Sequence, residues 1–404
     1  MTEFGPVTCA GCGLLCDDVR VELLEGGAVQ LHPECPVGAQ WFSARTGGRP
    51  SAPATINAEP VDVETALTRA AELLRTARRP LLYGFDGATV EDARAAVALA
   101  DRLGALVAAE DVAAPWPGAA AVPLRGASTA TLGEIRDRSR LVVIWREDPE
   151  TTHPRLLERL GFDRARSPRA GERMLAVVDD RDSATARRAT LQLRWPRERD
   201  LDALITLQAM QRRLTVRSDE LRGELGELLE RIDAAHHVAF VYGPGLSTGT
   251  GGQRRALALH ELVRALTRQR HVVTLALQAA AGLAGTQDVL AWQTGYCGSV
   301  DLAGGHPEPF TRTRPLESDE GVDVSLRVEG LPTPMPGRVA QIALGSVPAG
   351  PDVEVSIRTA AAGIEASGTA HRLDGVPVAL QAPLRDDAPT AAALLTRLLA
   401  EIER

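Results

Sequence analysis

Three thiols fall within eight residues in the stretch CAGCGLLCDD, Cys9 to Asp18, and a fourth, Cys35, follows in ECPVGAQWF. Thiolates are soft donors, suited to zinc, copper(I) and iron–sulfur clusters. The spacing Cys9-x2-Cys12-x3-Cys16 gathers three of them in one tight loop, and Cys35 must return through the fold to complete the set. A [4Fe–4S] cluster takes four thiolates at the corners of a cube, and three from one loop plus one remote is a common solution. Structural zinc more often uses two separated C-x-x-C-like pairs, which this spacing lacks. Ordinary or vestigial thiols are the third reading. The remaining cysteine, Cys297 in WQTGYCGS, stands alone and reads as a semi-buried free thiol.

Other candidate chemistry is thinner. All 45 residues in the Lys+Arg count are arginine, so Schiff-base chemistry and a phosphate-binding P-loop lysine are excluded. The run GPGLSTGTGG, Gly243 to Gly252, could bring backbone N–H groups to an anion. A plain glycine-rich turn between strand and helix is the preferred reading, because neither the lysine nor the GxGxxG spacing is present. His153 precedes Pro154 and reads as a packing residue at a helix start, and His236 and His237 open a strand. None of the three receives a chemical role.

These residues must be positioned by a scaffold of alternating elements. Val63 to Ala77 carries apolar residues at helical spacing, and PLLYGF from Pro80 reads as a short buried strand. A helix over Val90 to Leu103 and a strand over Ala105 to Ala109 follow. RLVVIW (Arg140–Trp145), MLAVVD (Met174–Asp179) and HVAFVYG (His237–Gly243) are further apolar strands separated by helical spans. Strand-like runs recur at Val322–Val328, Ala340–Leu344 and Val353–Ile357, and Thr390–Ile402 reads as a closing helix. Such alternation implies parallel sheets covered by helices, with ligands at the carboxyl ends of the strands. The Pro-punctuated stretch Gly47 to Pro60 reads as a linker. Ala279 to Glu317, rich in Gly and Thr, reads as a binding or interface loop.

The chain has 404 residues, 44% of them hydrophobic, which is enough for two or three domains with real cores. Its net charge of −8 comes from mixed signs, with no basic stripe for nucleic acid and no polybasic membrane tether. No stretch approaches the ~20 apolar residues of a membrane span, and the first residues lack a signal-peptide core. The expected location is cytoplasmic, where clustered thiols stay reduced.

Five separate motifs, in one order along the chain, carry a more specific likeness. CAGCGLLCDDV, ECPVGAQWF, TLGEIRDRSRLVVIWREDPETTHPR, AWQTGYCGSVDLAGGHPE and GIEASGTAHRLDGVPV together resemble the B subunit of formylmethanofuran dehydrogenase, a molybdopterin oxidoreductase. The resemblance implies an α/β fold of the molybdopterin-oxidoreductase type. Its parts would be a small N-terminal [4Fe–4S]-type domain over residues 1–55, a discontinuous α/β domain over 56–125 and 237–404, and an inserted α/β domain over 126–236. The C-terminal barrel of the superfamily would be absent. It also implies that Cys9, Cys12, Cys16 and Cys35 are the cluster ligands, and that the family's tungsten or molybdenum bis-pterin lies between the two α/β domains. A homologue in the formyltransferase/hydrolase complex of methylotrophic bacteria does no redox chemistry.

Three departures from the family pattern align the chain with that non-redox homologue. The family's metal-ligating cysteine, in a Cys-His-Gly setting, lies a little upstream of TLGE; here Ala109 to Ser128 contains neither Cys nor His. The family lysine after the fourth cysteine is replaced by Trp41, which suggests that a cation there is no longer needed. Gly and Asn near the dinucleotide are replaced by Arg146 and Asp148. A carboxylate there would repel a pyrophosphate by about 4 kcal/mol at roughly 4 Å and an effective dielectric near 20, which Arg146 would partly offset. The expectation is a subunit without pterin and with a structural cluster, in tetrahydromethanopterin-linked formaldehyde oxidation. Its partners would be an amidohydrolase-like A subunit, a C subunit and a formyltransferase D subunit, with Trp292 to Gly305 as the contact surface. The alternative is an active tungsten or molybdenum oxidoreductase using Glu110 or Asp111 as metal ligand.

Overall fold

The computed structural model describes residues 2–24, 28–47, 50, 52–109, 118–163, 173–216, 219–310, 321–332, 335 and 339–404. The chain is mixed α/β with several sheets, and it divides into two units, Met1–Pro115 with Ala279–Arg404, and Trp116–Gln278. None of the described helices is long and apolar enough to cross a membrane.

The first unit is built on a nine-stranded sheet. Its centre is parallel, in the order Leu106–Ala108, Pro80–Gly84, Val324–Val328, Ala340–Gly345 and Val355–Arg358. Antiparallel strands extend both edges. Helices Val63–Thr76, Val90–Leu103 and Ala391–Ile402 bury their apolar faces in one core with these strands. Thr89 and Asp92 form a capping box on the second of these helices, and Gly104 ends it at φ 61°, a left-handed conformation cheap only for glycine. An antiparallel three-stranded sheet, Thr2–Val7, Val19–Leu23 and Val29–His32, carries the cysteine-rich loop between its first two strands.

The second unit has a five-stranded, wholly parallel sheet in the order Leu191–Leu193, Met174–Val178, Leu141–Trp145, His237–Tyr242 and His271–Ala276. Every residue of LVVIW and of HVAFVY is buried, as expected of central strands covered on both faces. This pairing corrects the domain boundary. The inserted segment was expected to end near His236, but His237–Tyr242 pairs directly with Leu141–Trp145 and carries the chain as far as Gln278 into the second unit. Residues 1–55 are grouped with the first unit instead of standing apart.

Two loop readings are also corrected. The linker Gly47–Pro60 contains a hairpin, Ala54–Ile56 with Glu59–Val61, added to the sheet edge beside Val355–Arg358. Its two turn residues, Asn57 at φ 48° and Ala58 at φ 66°, take the paired left-handed conformation of a tight hairpin, so the chain's only asparagine stands where asparagine is favoured. Within Ala279–Glu317, Ala281–Thr294 is a helix whose first seven residues are all buried. Its polar residues do not gather on one face, so it lacks the amphipathic period that would mark it in sequence. A Cβ on Gly282 would lie 2.0 Å from the carbonyl oxygen of Phe85, which explains the small residues.

Candidate functional site

The cysteine loop folds back on itself through a hydrogen bond from the Cys9 N–H to the Cys16 carbonyl (2.8 Å) and another from the Leu15 N–H to the Cys12 carbonyl (3.3 Å). Cys35 caps the helix Pro36–Thr46. Its Sγ accepts from the Gly38 N–H at 3.5 Å, and Cys9 Sγ accepts from the Gly11 N–H at 3.4 Å. A Cβ on Gly38 would stand 3.0 Å from Cys9 Sγ and 3.8 Å from Cys35 Cβ, so glycine at this position lets the remote thiol approach the loop. Burial pushes the Cys9 thiol far up and that of Cys12 up to about 12, with the neighbouring cysteines adding to both shifts. Both shifts disfavour the thiolates, which a bound metal would favour.

Cys9, Cys12, Cys16 and Cys35 are the residues that would hold a [4Fe–4S] cluster, and backbone N–H groups are directed at the sulfurs of Cys9 and Cys35. Among the described residues, no three His, Cys, Asp or Glu side chains are grouped so that they could hold a metal ion. Such a cluster would supply one-electron transfer or a structural cross-link. Cys297 is half-buried.

Trp41, on the same helix, packs with Ala10, Leu15, Ala281, Ala370 and Leu380 and meets Phe42 edge to face at 4.8 Å. A cation is nevertheless present one turn on. The buried Arg45 guanidinium lies 4.8 Å above the Trp41 ring, in the field of Glu329 and Asp86. The tryptophan therefore does not signal that positive charge has left this helix.

Glu329 follows the carboxyl end of Val324–Val328 in a left-handed backbone, φ 52°. Its carboxylate is buried and accepts from Thr359 Oγ1, from Ser346 Oγ at 3.1 Å and from the Ser346 N–H at 3.4 Å. Burial, reinforced by Asp92, pushes its pKa up to about 7 against these hydrogen bonds and Arg45. Sequence reasoning did not single out Glu329; an isolated acid in RVEGL carries no motif.

In the second unit the carboxyl end of Leu141–Trp145 is crowded with charge. Arg146 takes a left-handed backbone, φ 58°, and is 3% exposed. Its guanidinium grips Asp200 with two hydrogen bonds of 2.9 and 3.0 Å and donates to the Trp195 carbonyl at 2.7 Å. Asp180 lies 3.2 Å from its Nη1 and Asp179 3.8 Å. Asp200 is fully buried and also accepts from Trp195 Nε1 at 2.9 Å.

The next residue, Glu147, was missed. Its carboxylate is buried against the glycine run and accepts from the Gly245 N–H at 2.5 Å. Burial pushes its pKa up to about 7, against the Gly245 hydrogen bond and the charges of Arg181 and Arg197, with Asp179 adding to the rise.

Asp148, expected to face the dinucleotide, turns elsewhere. It accepts from the Thr185 N–H at 3.0 Å, from Thr185 Oγ1 at 2.5 Å and from Thr151 Oγ1 at 2.7 Å. Burial opposes its charge, but these bonds prevail and hold its pKa low. Arg146 pairs with Asp200 and its neighbours, so the offset expected between Arg146 and Asp148 is not the interaction that forms.

His153 and His237 are both engaged in hydrogen bonds within the second unit. His153 is buried and its Nε2 lies 2.9 Å from the Gln278 carbonyl; burial lowers its pKa. His237 is buried, not solvent-facing, with Nδ1 2.8 Å from Ser139 Oγ. Of the expected contact loop, Trp292 is 63% exposed, but Val300–Asp301 is a strand of the nine-stranded sheet, with Asp301 held by Arg79 at 2.6 Å. Glu110 and Asp111 lie outside the described residues.

No protein-family model matches the chain. It is 27% identical over 403 residues to the B subunit of the tungsten-containing formylmethanofuran dehydrogenase 2 of Methanocaldococcus jannaschii, covering 93% of this chain and 92% of that one. It is also 27% identical over 409 residues to the protein of the same name from Methanococcus maripaludis, covering 94% of each. Among solved structures it is similar to a chain of the formyltransferase/hydrolase complex (FhcABCD) from Methylorubrum extorquens in complex with methylofuran. That match has 25% identity and a TM-score of 0.70, and covers 87% of this chain and 98% of the other.

Proposed function

Because the chain is homologous to the B subunit of formylmethanofuran dehydrogenase over nearly its whole length, we propose that it is the B-type component of a formyltransferase/hydrolase complex in methanofuran-linked one-carbon metabolism, and that it performs no redox step. The observation that carries this reading is the loss of both Cys and His from Ala109 to Ser128, where the resemblance puts the metal ligand and its acid/base neighbour. The likeness to a chain of the Methylorubrum complex supports assembly with other subunits. In tetrahydromethanopterin-linked formaldehyde oxidation, the A, C and D subunits would hydrolyse and transfer the formyl group, and this chain would hold them in register. The exposed Trp292 belongs to the proposed contact surface.

A [4Fe–4S] cluster on Cys9, Cys12, Cys16 and Cys35 would act here as a staple, joining the loop to the helix that starts at Pro36. No bis-pterin is expected. In support of that reading, the side chains of Arg146 and Glu147 at the carboxyl end of Leu141–Trp145 are hydrogen-bonded to Asp200 and to the Gly245 N–H.

The test is activity of the complex purified with its partners. Formyl transfer and hydrolysis should proceed, and reduction of viologen dyes by formate or the formyl carrier should stay at background. Dye reduction that disappears in Asp111→Asn would establish the oxidoreductase reading instead.

A further inference from the structure

In the second unit three helices, Asp200–Gln211, Asp219–Ala234 and Gly252–Leu266, end around a cavity of about 530 Å³. It lies toward the amino ends of the parallel strands, since its Arg270 immediately precedes His271–Ala276, and so at the opposite edge of the sheet from Arg146 and Glu147. Five arginines line it against two acids, and no aromatic side chain among the described residues does. Both acids are paired. Asp233 is 2.8 Å from Arg270, and Glu261 is 3.1 Å from Arg264 and also paired with Arg125. Arg212, Arg213 and Arg268 remain, and among the described residues no hydrogen bond or ion pair engages their side chains.

Helix C-termini attract cations by themselves, which would explain arginines here without a ligand. The backbone argues otherwise. The Arg213 N–H donates to the Met210 carbonyl and the Leu214 N–H to the Ala209 carbonyl, each at 2.9 Å, so the first helix closes by the Schellman pattern without help from a side chain. The N–H groups of Gln269 and Arg270 reach the Leu266 carbonyl at 3.1 and 3.3 Å and close the third. Arg270 does cap the second, donating to the Ile232 carbonyl, yet its buried Nε has no partner among the described residues. Arg213 stands at φ 57°, where this motif favours glycine, so an arginine is kept there at a conformational cost. Burial opposes the charge of Glu261, but the hydrogen bond from Arg125 and the charges of Arg264 and Arg125 prevail and hold its pKa low, so this wall favours negative charge. We propose that the cavity binds a compact polyanion carrying two or more phosphate or carboxylate groups, met by Arg212, Arg213 and Arg268. Its volume is that of a small-ligand site. The site goes beyond the one-carbon chemistry and stands whether or not the chain is redox-active.

Calorimetric titration of the full chain in its complex with inorganic pyrophosphate, and separately with citrate, at constant ionic strength tests this. At least one of the two should bind saturably, and the tighter one tells a polyphosphate from a polycarboxylate ligand. Arg213→Gly and Arg268→Ala should each weaken that binding about tenfold or more, the usual worth of a hydrogen bond to a charged group. Arg20→Ala, an exposed arginine of the first unit, should leave it unchanged. Arg213→Gly should also melt no lower than wild type, because glycine relieves the backbone, whereas removal of a structural cap would lower the melting temperature. The proposal is overturned if neither anion binds saturably, if either cavity variant binds as tightly as wild type, if Arg20→Ala weakens binding equally, or if Arg213→Gly melts lower.

Discussion

Replacing Arg146 with alanine is expected to destabilise the chain by about 3–5 kcal/mol, the usual cost of removing one partner of a buried ion pair. Asp200, fully buried, would keep the Trp195 indole hydrogen bond but lose both bonds from the guanidinium. The backbone refines the expectation. Arg146 sits at φ 58°, where a side chain costs roughly 1–2 kcal/mol relative to glycine. Arg146→Gly should therefore be milder than Arg146→Ala by about that amount. Arg146→Gly with Asp200→Asn should recover most of the remainder, because the neutral amide can still accept from the indole. Urea denaturation followed by tryptophan fluorescence suits the site, since Trp145 and Trp195 lie 6.1 Å apart beside it. A loss below about 1 kcal/mol in Arg146→Ala would show that the pair carries little, as exposed pairs do.

Glu329→Gln should flatten the pH dependence of stability. Burial raises the Glu329 pKa from 4.5 to about 7, so between those values the folded state holds a proton that the unfolded state has released. Wild-type stability then falls as pH rises through that window and levels off above it, a change of about 3 kcal/mol. Glutamine has no proton to lose there and can still bond Thr359 and Ser346. The variant should match wild type near pH 4 and be the more stable of the two at pH 8. Glu147 carries a shift of the same size, so part of the slope should remain in the single variant. Identical pH profiles for the two proteins would mean that Glu329 is ionised in the fold throughout.

What was legible in the sequence follows from how each residue is buried. LVVIW and HVAFVY are buried on both faces, so their apolar runs stood out. Helix Val90–Leu103 was read within its observed bounds, and the capping box of Thr89 and Asp92, which the reading did not use, marks its start. The hairpin at Asn57 was obscured by surrounding prolines and its very short strands, although a lone asparagine is a turn signal. Helix Ala281–Thr294 has no polar face to give it a period. Membership of His237–Ala276 in the second unit is set by sheet pairing, which no local pattern encodes.

The candidate site divides the same way. Cys9, Cys12, Cys16 and Cys35 stood out as the proposed cluster ligands because residue type and spacing suggest that chemistry. In WREDP the acidic residue singled out was Asp148, because it replaces a family asparagine. The backbone instead aims Glu147 at the glycine run and sends Asp148 to Thr185. Side-chain direction after a left-handed residue is a property of the turn and cannot be read from composition.

Tungsten and molybdenum content of the intact complex, purified without oxygen and expressed with both metals supplied, bears most directly on whether this chain does redox chemistry. A non-redox B-type chain should yield neither metal above trace, with iron near four per chain if the thiol quartet is loaded. One tungsten or molybdenum per chain would mean that the strand ends filled by Arg146 and Glu147 can open to a pterin, and the chain would then be part of an oxidoreductase.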